Sequence, residues 1–195
     1  MHVDFNDVLA PVARRSTVRL FFSMVANHDL EFHQIDHQCI HPRRLTDEIY
    51  MLQPPGFGDG ITDVCHLHKS LYGLKQAPRV WYQVLLEVLL SLGFEQSLSD
   101  AAVLFLQHPE LGIIYLLMYV DDIQIAGARL HGVCHVKSLI LSKFPGKDLG
   151  ESQFLLQMAI CRNRKQRTLT LNEKRHMHTL IYELCLEMLM PSAFP

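Results

Sequence analysis

"IIYLLMYVDDIQIAG", Ile113 to Gly127, is the stretch on which the reading of this chain turns. Apolar residues run almost unbroken into two adjacent aspartates, Asp121 and Asp122, and resume directly after them. A carboxylate buried without compensation costs several kcal/mol, and adjacent ionised aspartates repel more strongly in an apolar setting. A polar hairpin tip is the plainer reading, since Asp is common in turns. The apolar flanks count against it, because an ordinary turn gains nothing from being so deeply embedded. Divalent cations would stabilise the pair. Mg²⁺ takes oxygen ligands and is commonly held by one or two carboxylates plus phosphates. Two such ions, ~4 Å apart, clamp the attacking and leaving oxygens of an in-line displacement at phosphorus. That chemistry needs a third carboxylate from a neighbouring strand, and Asp36, at the end of the extended segment "EFHQID", is the candidate.

Working outward, "AAVLFLQHPELGIIYLLMYVDDIQIAG" reads as strand, turn, strand, tight turn, strand, with the two acids at the second hairpin tip. Upstream, Val18, Phe21, Phe22 and Val25 fall at helical spacing, so a helix is predicted over about 17–28, with Ser16 or Thr17 as its cap. "DEIYMLQPPGFGDG" predicts a strand running into a Pro/Gly turn. "APRVWYQVLLEVLLSLGF" predicts a helix that starts near Pro78, presents Val80, Val84, Leu85 and Val88, and ends at Gly93. A helix over about 129–143, strands near 153–161 and 167–171, and a C-terminal helix from about 173 complete the pattern. Helices mixed with antiparallel hairpins indicate an α+β layer fold, one sheet with helices on one face.

The 195 residues, 49% hydrophobic and 19% charged, are ordinary for a globular domain with a real core. No apolar run reaches the ~18 residues that span a bilayer, and the first residues lack the apolar core of a signal peptide. An intracellular, soluble chain is the expectation. The five cysteines form no C-x-x-C pair, which argues against a disulfide framework or zinc knuckle. His66 and His68 near Cys65, and His176 with His178, lack the four-ligand zinc spacing, and weakly constrained surface histidines are the plainer reading. A net charge of −2 argues mildly against a free-standing nucleic-acid binder. The basic run "CRNRKQR", Cys161 to Arg167, reads as a solvated turn between two strands.

"SLYGLKQAPRVWY", Ser70 to Tyr82, followed by "YVDDIQIAG", resembles the reverse transcriptase of copia-type LTR retrotransposons. "FNDVLAPVARRSTVRL", "DEIYMLQPPGF", "KDLGE" and "LTLNEKR" carry the same resemblance, in order, over nearly the whole chain. It implies a right-hand polymerase fragment over 3–190, palm plus partial fingers, without the upstream fingers, thumb, connection and RNase H regions. The implied reaction is attack of a primer 3′-hydroxyl on the α-phosphorus of a deoxynucleoside triphosphate, with two Mg²⁺ ions, or Mn²⁺ in their place. Asp36, Asp121 and Asp122 match the catalytic, metal-binding aspartates, Asp36 and Asp121 being the principal ligands. Gln76 matches the glutamine near the templating base and incoming nucleotide, Lys75 beside it would meet phosphate, and Tyr119 would lie near the primer terminus. The implied partners are an RNA or DNA template–primer duplex and dNTPs, with no membrane. The implied compartment is a cytoplasmic virus-like particle if the chain belongs to an active element.

The chain departs from the family pattern after Asp36. The family reads like "DVNNAFLHGDLxEEIYM"; here "DHQCIHPRRLTDEIYM" is shorter and has no aromatic before Tyr50. In the family that aromatic lies beneath the incoming sugar and helps exclude ribonucleotides. Back-translating "HQCIHPRR" and shifting by one base permits Ile-Asn-Ala-Phe-Ile-His-Gly. The hypothesis is that two compensating indels leave an old motif read out of frame; a gene with no adjacent frame encoding "NAF" would sink it. Gln157 stands where the family has a glycine, "SLSDAAVLF" lacks the usual residues after its aspartate, and Pro42 is poorly suited to a central strand. These departures set two functions against each other: a polymerase, and a catalytically dead relic or palm-like module that binds nucleic acid or protein. The expectation is weak or no polymerase activity from the isolated chain. A metal-dependent nucleotidyl transferase or nuclease of another family is a third reading, which "SLYGLKQAPRVWY" disfavours.

Overall fold

The structure, a computed structural model, describes residues 10–37, 44–54, 56–57, 64–69, 74, 77–156 and 158–173. Three helices are present among them: α1 (Arg15–Asn27), α2 (Ala77–Ser91) and α3 (Leu130–Lys143). The strands are β1 (Glu31–His37), β2 (Arg44–Leu52), β3 (Val64–Lys69), β4 (Glu95–Gln96), β5 (Val103–His108), β6 (Gly112–Tyr119), β7 (Asp122–Gly127), β8 (Gly146–Glu151), β9 (Phe154–Leu155), β10 (Met158–Asn163) and β11 (Thr168–Asn172). A six-stranded antiparallel sheet in the order β4-β5-β6-β7-β1-β8 is the centre of the molecule. A three-stranded sheet, β11-β10-β9, and a separate β2–β3 hairpin accompany it. The strand–turn–strand–turn–strand expectation for residues 101–127 holds, and β1 lies directly beside β7.

Successive side chains of a strand point to opposite faces, so the central sheet has two. On one, Ile35, Leu116, Met118, Ile123 and Ile125 pack against Trp81, Leu85 and Leu89 of α2 and Val133, Val136 and Ile140 of α3. On the other, Phe32, Leu117 and Ala126 pack against Val18, Phe21, Phe22 and Val25 of α1, with Leu155 and Ile160 of the small sheet. The expectation of one sheet with helices on one face is therefore corrected: the described strands form three sheets, α2 and α3 share a face of the central one, and α1 takes the opposite one. Phe21, Phe22 and Phe32 form a mutually tilted aromatic cluster beneath α1, which gives α1 an anchor that β-hairpins alone would not supply.

Two local readings are revised. Ser16 and Thr17 lie inside the first turn of α1; Arg14 is its N-cap and makes no side-chain cap bond. The helix start is held from outside instead, the Arg14 N–H donating to Asp100 Oδ2 at 3.0 Å. Burial acts to raise the Asp100 carboxyl, but hydrogen bonds from the Thr17 side chain and the Arg14 and Ala102 N–H groups outweigh it and hold it low. In α2 the buried stripe is Ala77, Trp81, Tyr82, Leu85 and Leu89. Val84 and Val88 are only partly buried, because the two aromatic rings turn the helix toward their own hydrogen-bond acceptors, the carbonyls of Val120 and Ala101. Gly93, at φ +89°, ends the helix as expected.

The strand expectations near 153–161 and 167–171 match β9–β10 and β11, with the "CRNRKQR" run spanning the turn between β10 and β11. The C-terminal helix expected from about 173, Pro42, Gln157, and His176 with His178 lie outside the described residues. Strands β3, β4 and β8 were not anticipated.

Candidate active site

The pairing of β1 with β7 sets Asp36 directly opposite Asp122, and Ile35 opposite Ile123. Asp121 sits in the turn just before β7, and its carbonyl accepts from the His37 N–H at 3.1 Å. The two sequence segments that carry the three acids thus meet at one end of the central sheet. The third wall is β8. Gly146 pairs with His37, and a Cβ at Gly146 would lie 2.6 Å from His37 Nδ1 and 2.8 Å from the Asp36 carbonyl oxygen. Only a glycine lets β8 approach β1 this closely.

The turn itself is strained. Val120 has φ +54°, a left-handed conformation that a β-branched residue adopts only when its surroundings impose it. Trp81 supplies one such constraint: its indole Nε1–H donates to the Val120 carbonyl at 3.0 Å. Trp81 is 3% exposed and packs its ring against Phe144 and His37, at 5.1 and 5.3 Å between centroids. The aromatic of the "APRVWY" block therefore reaches across from α2 to the tip that bears the acids.

Burial, with the charges of Asp36 and Asp122, pushes the Asp121 carboxyl up to about 6. Its Oδ1 is buried and has no hydrogen-bond partner. Asp122 is also raised, chiefly by burial and further by Asp36, while a hydrogen bond from Gln34 works the other way. That bond runs from Gln34 Nε2 to Asp122 Oδ1 at 2.8 Å. Beneath it, Gln124 is fully buried and accepts at Oε1 from Ser152 Oγ at 2.6 Å. Burial lowers the His37 imidazole below its usual range, against the Pro145 carbonyl and Asp36, which act to raise it. His37 Nδ1 lies 3.1 Å from that carbonyl.

Among the described residues no three His, Cys, Asp or Glu side chains close into a ready-made metal cage. On the β2–β3 hairpin His66 stacks on Tyr50 and meets His68 edge-on. An all-oxygen donor set with a buried carboxylate oxygen lacking any partner nevertheless fits a hard divalent cation that takes its remaining ligands from phosphate and water. Tyr119 is registered opposite Asp122 on β6. It also lines a groove of about 1190 Å³ between α1 and the β10–β11 hairpin, whose walls include Arg15, Arg19 and Arg167. Lys75 and Gln76 lie outside the described residues. Gln34, Trp81, Gln124 and His37 went unnoticed as site residues in the sequence; the period-two alternation of Gln34 with Asp36 and of Asp122 with Gln124 is the signal that could have found two of them.

A family model described as reverse transcriptase (RNA-dependent DNA polymerase) matches residues 1–194. The chain is 36% identical over 197 residues to the retrovirus-related Pol polyprotein from transposon TNT 1-94 of Nicotiana tabacum, a match covering 99% of this chain and 15% of that protein. It is 34% identical over 196 residues to the corresponding polyprotein from transposon RE2 of Arabidopsis thaliana, covering 99% of this chain and 13% of that protein. The chain thus spans well under a fifth of the length of these relatives. No solved structure matches it significantly. With the motifs from "FNDVLAPV" to "LTLNEKR" matched in order and the family model spanning nearly every residue, this chain belongs to the reverse transcriptase family, in the branch carried by the Pol polyproteins of copia-type transposons.

Proposed function

We propose that this chain is the polymerase module of a transposon Pol protein, an RNA-directed DNA polymerase that transfers a deoxynucleotide to a primer 3′-hydroxyl. The observation that carries the reading is the register that sets Asp36 opposite Asp122 with Asp121 in the adjoining turn. In this reading the central sheet with its helices is the palm, and the β2–β3 hairpin is part of the fingers. Asp36 and Asp121 hold the cations, and Asp122 adds charge beside them. Bound Mg²⁺ would neutralise the triphosphate and activate the primer hydroxyl. Trp81 fixes the turn so that Asp121 points where it is needed. Tyr119 supports the primer end, and the arginine-walled groove beside it suits a duplex backbone, recognised by charge and shape. Gln76 and Lys75 contribute contacts to the templating base and to phosphate.

The test is incorporation of dTTP on poly(rA)/oligo(dT) with Mg²⁺ or Mn²⁺. Weak incorporation is expected, falling about a thousandfold or more in Asp121→Asn and Asp36→Asn. The weakness follows from the altered segment after Asp36, which lacks the family's aromatic. That same alteration favours one second reading, a module that binds template–primer without extending it. Duplex binding with no incorporation at any metal concentration would decide for the second.

A further inference from the structure

We infer that Gln34 is a positioning residue for the acidic tip: its carboxamide holds the Asp122 side chain against β1, leaving Asp36 and Asp121 to present the oxygens that take the cation. The inference rests on the cation-binding reading given above. Gln34 lies two residues before Asp36 on β1, so both side chains leave the same face of the sheet. It is 6% exposed, and a buried carboxamide must place its N–H groups on acceptors. Its direct cross-strand neighbour is Gln124. The Gln124 oxygen, however, already accepts from Ser152. Gln34 reaches diagonally instead, to Asp122 Oδ1 at 2.8 Å.

The two adjacent aspartates are thereby made unlike. Asp122 has one oxygen committed to an amide donor, while the Asp121 Oδ1 is buried with no partner. A carboxylate oxygen that accepts a short amide bond is poorly free to swing toward a cation, whereas a buried oxygen with no partner gains most from one. Three acids meet at one tip, and the described residues contain no three-ligand cage. The third acid is tied back. A centre open to phosphate oxygens needs that restraint, since a cation already saturated by protein carboxylates has fewer positions left for the triphosphate.

The experiment is a double-mutant cycle on the full chain, with Mn²⁺ binding followed by electron paramagnetic resonance and dTTP incorporation measured alongside. Gln34→Leu removes the donor and roughly keeps the volume; Gln34→Met is the second choice if the first does not fold. Freed from Gln34, Asp122 can join the cation, so Mn²⁺ should bind about fivefold more tightly. Incorporation should slow about tenfold in kcat, with KM for dTTP within about twofold. Tighter metal with slower turnover is a combination that simple loss of packing does not produce. In an Asp122→Asn background, Gln34→Leu should change Mn²⁺ affinity by less than about twofold. Weaker Mn²⁺ binding in Gln34→Leu, an unchanged affinity, or an effect of equal size with Asp122→Asn would each overturn the inference. So would an unmutated chain that takes no Mn²⁺. If Mn²⁺ binds but no variant incorporates nucleotide, the polymerase reading fails, and the binding cycle still decides the role of Gln34.

Discussion

The two faces of the central sheet are made from alternate residues of the same strands, yet they obey different rules. The face under α2 and α3 is mostly apolar, with Ile35, Leu116, Ile123 and Ile125 fully buried and only His33 and His37 of β1 interrupting it. The opposite face is apolar only where α1 covers it. Toward the hairpin tip it becomes a polar strip of Gln34, Asp36, Asp122 and Gln124. The first face is satisfied mainly by packing, its polar groups being His33, bonded to Lys137, and His37, whose Nδ1 meets the Pro145 carbonyl and whose Nε2 has no partner. The second carries a buried carboxylate oxygen and a buried Gln124 amide nitrogen without partners. Well-packed cores leave few such groups, and the gathering of three of them, on Asp121, Gln124 and His37, toward the tip end of the sheet is what separates a site from a scaffold.

If that division is real, substitutions on the two faces should dissociate stability from cation binding. The largest effect belongs to the packed face. Leu116 is 0% exposed, and Leu116→Ala should cost about 3 kcal/mol. In thermal denaturation the midpoint should fall about 6–12 °C, while Mn²⁺ affinity measured well below that midpoint stays within about twofold. A change in metal affinity comparable to that of a tip substitution would mean that the two faces are not separable.

Trp81 is where the faces meet, and it sharpens the comparison. It packs in the helix-side core, yet its N–H holds the carbonyl of Val120 on the strained turn. Trp81→Phe keeps most of the aromatic volume and removes the donor, leaving the Val120 carbonyl short of a partner. The expected cost is about 2 kcal/mol. Unlike Leu116→Ala, this change should also weaken Mn²⁺ binding several-fold, because the turn that presents Asp121 loses its tether. A stability loss without any effect on Mn²⁺ would reduce Trp81 to a packing residue.

The sequence carried the packed face well and the polar face unevenly. Apolar alternation and turn residues locate β5, β6 and β7 closely, and the acids stand out because nothing apolar explains them. Strand β8 was illegible because "GKDLGE" has no alternation and is largely exposed; it becomes a strand only through its backbone pairing with β1. That pairing depends on a glycine fitting under His37, a tertiary fact that no local pattern encodes. Gln34 and Gln124 were missed for a related reason. A lone Gln in a strand reads as solvent-facing until the neighbour that buries it is known. Which helix takes which face was likewise set by contacts distant in sequence, α1 being fixed by Phe32 below it and by Asp100 at its start.

The smallest expected effect has the opposite sign to the others, and it isolates the cost of keeping the polar face functional. The Asp121 carboxyl is raised from its ordinary value of 3.8 to about 6, first by burial and then by Asp36 and Asp122. Between those values the folded state holds its proton more tightly than the unfolded chain does. Stability from this group is therefore present at low pH and is lost as pH rises through about 6. Asn carries no charge and incurs no such loss. Asp121→Asn should then be the more stable protein at pH 8 without divalent cations. After allowance for partial solvent screening the gain is about 1 kcal/mol, or about 2–4 °C in the thermal midpoint. At pH 4 the two proteins should melt together. Adding Mg²⁺ at pH 8 should raise the unmutated chain toward the variant, since a bound cation removes the repulsion that Asn removes by substitution. Equal midpoints at pH 8, or a difference that persists unchanged at pH 4, would show that the acids at this tip are already compensated within the protein. The polar face would then be one more satisfied surface, with no need of the cation that its geometry otherwise invites.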